Sequence, residues 1–365
     1  MRKSVKIRFS QPVFDKTERD YVAQVFNQQQ ITNGGFVNRF EEEFAEFCGG
    51  GVALAVSSCT SGLHLAMLAL GIGPGDEVIV PALTHAATAH AVELAGAKPI
   101  FVDSEPKTGS VDVERIRASI TGKTKAVIVV HYLGRPVDIA SIRWDLEREG
   151  IRIVEDCALS MGAELWGKHV GLHGDVGCFS FYPSKHMTTG EGGMLLTRHP
   201  SLHEEMRQRR EYGKVDLGDR AYDMVSLGGN FRMTEFQAAI GVAQLQKFPD
   251  FLKRRKSNAV ALWGHLKGHR RLDTDEGSQY AVGMMVAADK RDGVREFMRG
   301  NLVETSIYYP TPVPALTYYT KKYGVQPMPV AERISKETVT LPVGQHLSNG
   351  AMRSIAEAFK RAVIR

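Results

Sequence analysis

Cysteine is scarce in this chain. Its 365 residues hold four, Cys48, Cys59, Cys157 and Cys178, and none of them is spaced as a zinc site or a redox-active pair requires. A metal is therefore not expected, and a reduced, cytoplasmic setting is. No apolar run is long enough to span a bilayer, and the basic start, Met1 to Phe9, passes into Ser10-Gln-Pro-Val-Phe-Asp-Lys16 without an apolar signal core. No membrane association is expected on that count. Charge of one sign is not concentrated either. The 46 Lys and Arg stand against 41 Asp and Glu, and the short clusters at Arg207 to Arg210 and Lys253 to Lys256 read as solvated helix faces, so no nucleic-acid partner is expected. Several nucleotide and nucleophile signatures are missing too. Gly71-Ile-Gly-Pro-Gly75 has the wrong spacing for a dinucleotide loop, there is no Gly-x-x-x-x-Gly-Lys-Ser/Thr, and no serine sits in a Gly-x-Ser-x-Gly elbow. No internal repeat or low-complexity tract is present.

What remains is an ordinary globular composition, 43% hydrophobic and 24% charged, in a chain long enough for two domains. Between about residues 50 and 200, β-rich runs at Val52 to Val56, Glu77 to Pro81, Lys98 to Val102, Ala126 to Val130, Arg152 to Val154 and Cys178 to Phe181 alternate with helical patterns. That alternation predicts an α/β fold with a largely parallel sheet, whose ligands bind beyond the carboxyl ends of the strands. Ahead of it, Glu18 to Gln30 reads as a helix, and Phe40, Phe44 and Phe47 mark one face of another. Near Leu245 to Asp250 the pattern changes to a long basic helix. We expect a large domain over 1–245 and a smaller α+β domain over 246–365, with a β-like run at Tyr280 to Ala287 and helices near Gly293 to Asn301 and Asn349 to Ile364.

Four features follow the strand ends. Ser57-Ser-Cys-Thr-Ser61 opens a helix, where the free amides of Thr60 and Ser61 suit a phosphate monoester, although an ordinary hydroxyl cap has the same look. His85 stands among small residues after a strand, where an imidazole can stack on a flat ring or merely cap a helix. Asp156 ends an apolar strand, placed either to pair with a protonated pyridine nitrogen or to cap a helix or pair with an arginine. Lys185 lies between an apolar run and a loop with three glycines, an environment that suits a lysine making a covalent bond better than a solvated one, with Ser180 upstream as a second phosphate ligand. Phosphate cup, ring-face residue, ring-nitrogen acid and covalent lysine, each after a strand of one sheet, together describe a pyridoxal phosphate site.

The segments Phe40-Glu-Glu-Glu-Phe-Ala45, Leu70 to Pro81, His131-Tyr-Leu-Gly134, Glu155-Asp156, Ser180 to Gly193 and Gly229-Asn-Phe-Arg-Met-Thr-Glu-Phe-Gln-Ala-Ala239 closely resemble the DegT/DnrJ/EryC1/StrS sugar aminotransferases, of pyridoxal phosphate (PLP) fold type I. The resemblance implies a seven-stranded, mostly parallel sheet between helices and a smaller C-terminal domain. It makes Lys185 the residue that bonds the cofactor and shuttles the proton, Asp156 the ring-nitrogen partner, Thr60, Ser61 and Ser180 phosphate contacts, and His85 the residue stacked on the ring. It brings Asn230 to the phosphate of a neighbouring subunit, hence a homodimer with shared sites. It sets His186, Arg232 and Tyr309 near the substrate, although Arg232 reads equally as an ion-pair residue. The implied reaction moves an amino group from L-glutamate to a keto-sugar, linked to a nucleoside diphosphate. Three positions depart from the family pattern: Cys59 stands where glycine is usual, Leu159 replaces a Gln or His that contacts the cofactor's phenolic oxygen, a hydrogen bond worth roughly 1 kcal/mol, and His186 replaces an Asn. The competing readings are a sugar 3-dehydratase of the same family, which carries histidine in place of the lysine, an aminocyclitol aminotransferase, and a PLP-binding regulator without turnover. Loops 28–36, 212–226 and 306–320 are expected to choose the sugar.

Overall fold

In the computed structural model, residues 6–219, 221–273 and 275–365 are described. The first five residues of the basic start, Arg220 in loop 212–226 and Thr274 in the polar stretch 268–278 lie outside the described residues.

The N-terminal part runs α1 (Lys16–Val25), α2 (Gly35–Phe47), β1 (Val52–Val56), α3 (Cys59–Ala69), β2 (Glu77–Pro81), α4 (Ala86–Leu94), β3 (Lys98–Val102), α5 (Val113–Ala118), β4 (Thr124–Val130), α6 (Ala140–Arg148) and β5 (Arg152–Asp156). Two short strands follow, β6 (Glu164–Leu165) and β7 (Lys168–His169), then β8 (Val176–Ser180), β9 (Gly193–Thr197), α7 (Pro200–Arg210), β10 (Lys214–Gly218), β11 (Ala221–Met224) and the long α8 (Glu235–His265). The chain ends with β12 (Val282–Met285), α9 (Arg291–Gly300), α10 (Thr317–Tyr323), α11 (Pro329–Glu337), β13 (Thr338–Leu341) and α12 (Asn349–Ile364). No helix among the described residues is long and apolar enough to cross a membrane.

Seven strands form one sheet in the order β1-β9-β8-β5-β4-β2-β3. Covered by helices on both faces, its inner strands are apolar nearly throughout, as Ala126 to Val130 illustrate, all of them buried. Only β9 runs against its neighbours, pairing antiparallel with β1 and β8. The sequence reading placed no strand there, because Gly192-Gly193 masked the apolar run behind it. Gly193 is required by contact: a Cβ on it would lie 2.6 Å from the Cys59 amide nitrogen. The first helix also falls short of the expected Gln30, ending at Val25. It starts from a capping box, with Asp15 and Glu18 satisfying each other's backbone N–H groups, but its last turn carries no basic residue to oppose the dipole and gives way to a turn at Asn27 and Gln28.

One face of the sheet is covered by α2 and α8, where Phe40, Phe44, Phe179, Phe181 and Phe248 form a buried aromatic core. The opposite face is covered around α3 and α4 by a larger cluster holding Leu63, Met67, Val80 and Ile128. Helix α8 passes without interruption through residues 245 and 246. Its first half belongs to the aromatic core, and its second half contributes Ala259 and Leu262 to a separate core with β12, β13, α9 and α12.

The start of α8 fixes the start of α2. Glu235 is fully buried, and its carboxylate accepts from the amides of Gly34 (2.8 Å), Phe36 (2.8 Å) and Val37 (3.0 Å). Three orphan donors of a helix N-terminus thus meet one anion, favoured by the helix dipole. Gly34 leaves the room, since a Cβ there would lie 2.8 Å from the Glu235 Cδ. Replacing Glu235 by Ala strands these donors and should lower the unfolding free energy by about 3 kcal/mol in urea titration. Glu235→Gln, which keeps one acceptor oxygen, should lose less.

Candidate active site

The carboxyl ends of β1, β2, β4, β5 and β8 open on one edge of the sheet. After β1, Ser58 caps α3: its Oγ accepts from the Ser61 amide at 3.0 Å, and Ser57 Oγ donates to Ser61 Oγ at 3.1 Å. After β2, His85 caps α4 by accepting from the Ala87 amide through Nδ1 at 3.2 Å. That nitrogen is therefore unprotonated, and burial, with the Lys185 charge adding to it, lowers the pKa of the ring.

Asp156 closes β5 at 5% exposure. Its Oδ2 accepts from Thr88 Oγ1 at 2.8 Å and its Oδ1 from the Ala158 amide at 3.1 Å. Thr84 lies 2.8 Å from the same Thr88 hydroxyl, so its own proton completes the chain. Among the described residues Asp156 forms no ion pair. Its neighbour Glu155 points the other way, into the protein. There it accepts from the amides of Gly171 (2.9 Å) and Gly174 (2.6 Å) and meets His131 Nε2 at 3.0 Å. Burial alone would raise the Glu155 pKa, but His131 and the two amides outweigh it and hold the group low. His131 Nδ1 accepts from the Val137 amide at 3.0 Å, so both ring nitrogens are committed. The buried His131, Glu155 and Cys157 cluster is thus a hydrogen-bonded support rather than a metal cage.

After β8 the chain turns back before becoming β9, and Lys185 lies in that turn, its amide donating to the Tyr182 carbonyl at 2.9 Å. The turn is closed by Thr188 Oγ1 to the Phe181 carbonyl (2.8 Å), Thr189 Oγ1 to the Glu191 carbonyl (2.6 Å) and the Phe181 amide to the Gly192 carbonyl (3.0 Å).

These ends enclose a cavity of about 400 Å³. Thr60, His85, Asp156, Ser180, Lys185 and Tyr309 all line it, as do Cys59 and Leu159, the two unusual residues beside the expected site. Burial pushes the Cys59 thiol well up, with Asp156 adding to the effect, so it faces the cavity as a small neutral group. Burial likewise raises the Tyr309 phenol, again with Asp156 contributing. Ser61 is in the second row, bonded to Ser57 and Ser58. His186, Asn230 and Arg232 do not line the cavity. His186 is buried behind the lysine, Asn230 is exposed beside the β10–β11 hairpin, and Arg232 pairs with Glu211 at 3.2 Å beneath the Tyr212 ring. Sequence reasoning missed Ser58, Tyr182 and Glu191 on the cavity wall and Thr88 behind Asp156. A signal for the last was present, since two threonines, Thr84 and Thr88, flank the expected stacking residue His85 where the strand passes into a helix. A larger hollow of about 850 Å³ lies along the second half of α8, but it gathers no strand end and no buried acid.

The donor set fits PLP. A buried acid without a charged partner suits a protonated ring nitrogen, the hydroxyls and amides at the start of α3 suit a phosphate, and a lysine stands in the same cavity.

Comparison with known proteins agrees. Residues 12–360 match the sequence profile of the DegT/DnrJ/EryC1/StrS aminotransferase family. A GDP-perosamine synthase of Escherichia coli O157:H7 is 36% identical over 355 residues, which span 95% of this chain and 96% of that protein. The structure of Helicobacter pylori PseC, an aminotransferase involved in pseudaminic acid biosynthesis, superposes with a TM-score of 0.93 at 26% identity over 99% of this chain and 100% of that one. Spr1654 of Streptococcus pneumoniae, solved in a PLP form, gives 0.92 at 26% identity over 99% of both chains. The chain belongs to the DegT/DnrJ/EryC1/StrS aminotransferase family.

Proposed function

We propose that this protein is a PLP-dependent aminotransferase that moves an amino group from L-glutamate to a nucleotide-linked keto-sugar, for glycan or aminosugar biosynthesis. The observation that carries the reading is that Lys185 and Asp156 line the same cavity as the cap of α3. PLP bound there supplies an electron sink for the carbon that gains or loses the amino group. Asp156 would hold the ring nitrogen protonated, and Thr88 and the Ala158 amide keep its oxygens oriented. Ser58, Thr60 and Ser180 would hold the phosphate, with Ser61 behind them, and His85 would lie against the ring face. Lys185 Nζ carries the proton to and from the reacting carbon. The name of the E. coli relative favours a GDP-linked sugar as the first acceptor to test. A cytoplasmic location accords with such a substrate and with four buried, unpaired cysteines. The dehydratase reading needs a histidine in the lysine's place. The adjacent His186 is bonded to the Ser278 carbonyl at 3.2 Å and does not line the cavity, so it does not take that role.

The working unit we propose is a homodimer. The stretch from Tyr212 to Leu227 carries an exposed apolar series that includes Leu217 at 64% and Leu227 at 77%, with exposed Asn230 just beyond. A series of this size on a two-stranded arm suits a second copy of the chain, whose cavity Asn230 would then complete.

Purified protein should be yellow and should bleach on addition of L-glutamate, whereas Lys185→Ala should bind PLP without turnover. A wild-type spectrum left unchanged by glutamate, with the cofactor bound, would exclude glutamate as donor. Lys185→Ala and Asn230→Ala should each be impaired alone. Co-expressed, they should recover about a quarter of wild-type activity, because half the dimers are mixed and each of those keeps one intact site. No recovery would rule out the shared site.

A further inference from the structure

His186 is a buried histidine with no part in the chemistry above. It is 1% exposed, between the rings of Tyr280 (centroids 5.5 Å apart) and Phe248 (6.3 Å). Since its Nε2 faces the Ser278 carbonyl at 3.2 Å, that nitrogen carries the proton and donates it. Its backbone is held as well, the His186 carbonyl accepting from Gln345 Nε2 at 3.1 Å. Gln345 Oε1 in turn accepts from Arg255 Nε at 2.8 Å, and Arg255 Nη1 donates to the Tyr280 carbonyl at 3.1 Å. The bonds close a ring from His186 through Ser278 and Tyr280 to Arg255, Gln345 and back to His186.

One side of this ring is rigidly mounted. The Ser278 amide donates to the Gly134 carbonyl (3.1 Å), the Tyr280 amide to the Leu133 carbonyl (3.2 Å), and Ser278 Oγ to the carbonyl of Leu159, a cavity residue (3.3 Å). The crossing is too tight for side chains, as a Cβ on Gly277 would lie 2.0 Å from the Gly134 oxygen and one on Gly134 2.6 Å from Ser278 Oγ. Arg255 is buried and forms no ion pair among the described residues. Burial pushes its pKa down to about 10, which still leaves it charged at neutral pH. A buried cation met only by carbonyls and an amide is a poor way to gain stability and a good way to fix orientation.

We propose that His186 is a positioning residue. Through its ring to Ser278 and its carbonyl to Gln345, it fixes the backbone from which Lys185 enters the cavity. Tyr280 assists, its hydroxyl 3.5 Å from Ser184 Oγ and its ring centroid 5.8 Å from Lys185 Nζ. The proposal rests on the reading of Lys185 as the proton-carrying lysine.

His186→Phe keeps a ring between Tyr280 and Phe248 but loses the donor, whereas His186→Gln keeps a donor of similar reach. The Phe variant should fold and bind PLP as the wild type does, yet bleach with L-glutamate about tenfold more slowly or worse at saturating donor, since small misplacement of a reacting group is costly. The Gln variant should stay within about threefold of wild type. In the cofactor-free protein, hydrogen exchange at residues 184–188 should speed up about tenfold in the Phe variant and stay unchanged in the Gln variant. Equal bleaching and exchange rates in the Phe variant and the wild type would overturn the proposal. If the Phe variant does not fold, Gln345→Leu, which breaks the other link, must show the same two effects or the proposal falls. Should wild-type protein fail to bleach, the aminotransferase reading fails, while hydrogen exchange still decides whether the ring of bonds holds the lysine turn.

Discussion

The site depends on one close contact, that of Gly193 with the start of α3. A Cβ at Gly193 would come within 2.6 Å of the Cys59 nitrogen, so only glycine lets β9 pass behind that helix. Since β9 must reach its place between β8 and β1, the chain has to reverse at the carboxyl end of β8, and the reversal is the turn that carries Lys185. The same contact fixes the distance between that turn and the cap of α3. Lys185 and the cap of α3 are thereby held in common by backbone packing, with no side-chain bond between them among the described residues.

Three buried charges are met by neutral groups, unlike Glu18 and Arg210, which are paired with Lys247 and Glu41. Glu235 and Asp156 are anions met by amides and a hydroxyl, and Arg255 is a cation met by carbonyls and an amide. Neutral partners satisfy hydrogen bonds without cancelling charge, which differs from the exposed ion pairs on the helices, such as Arg207 with Glu204. Each of these buried groups fixes a backbone segment or a ligand position. Asp156 alone faces a cavity, and its uncancelled charge is there for a ligand to meet.

The parallel sheet was legible in the sequence because strands buried on both faces need unbroken apolar runs, and six such runs fell close to the observed strands. That Lys185, Asp156, His85, Thr60 and Ser180 meet at one cavity was legible because residues that follow the strand ends of such a sheet share one edge. The antiparallel β9 was not, since the signal of its apolar residues was overridden by two glycines that serve packing rather than a loop. Asn230 and Arg232 could be picked out only through family resemblance, and in a single chain neither reaches the cavity. The bonds of His186 to Ser278 and Gln345, and that of Gln345 to Arg255, join residues 90 to 159 positions apart, and no local pattern announces bonds of that range.

The departures from the family pattern also differ in kind. Cys59 and Leu159 line the cavity, so their effect is direct: a small neutral thiol beside the phosphate cup, and an apolar wall where a hydrogen bond would otherwise be made. His186 does not line the cavity, and its bonds run to the backbone of Ser278 and from its own carbonyl to Gln345. Leu159 belongs to both groups, because its side chain meets the cavity while its carbonyl accepts from Ser278, the residue to which His186 is bonded. The apolar wall and the lysine turn therefore share an anchor. The Leu159 carbonyl and the His186 ring bear on the same short segment, Gly277 to Tyr280, by which the C-terminal part of the chain supports the cavity that its own Tyr309 lines.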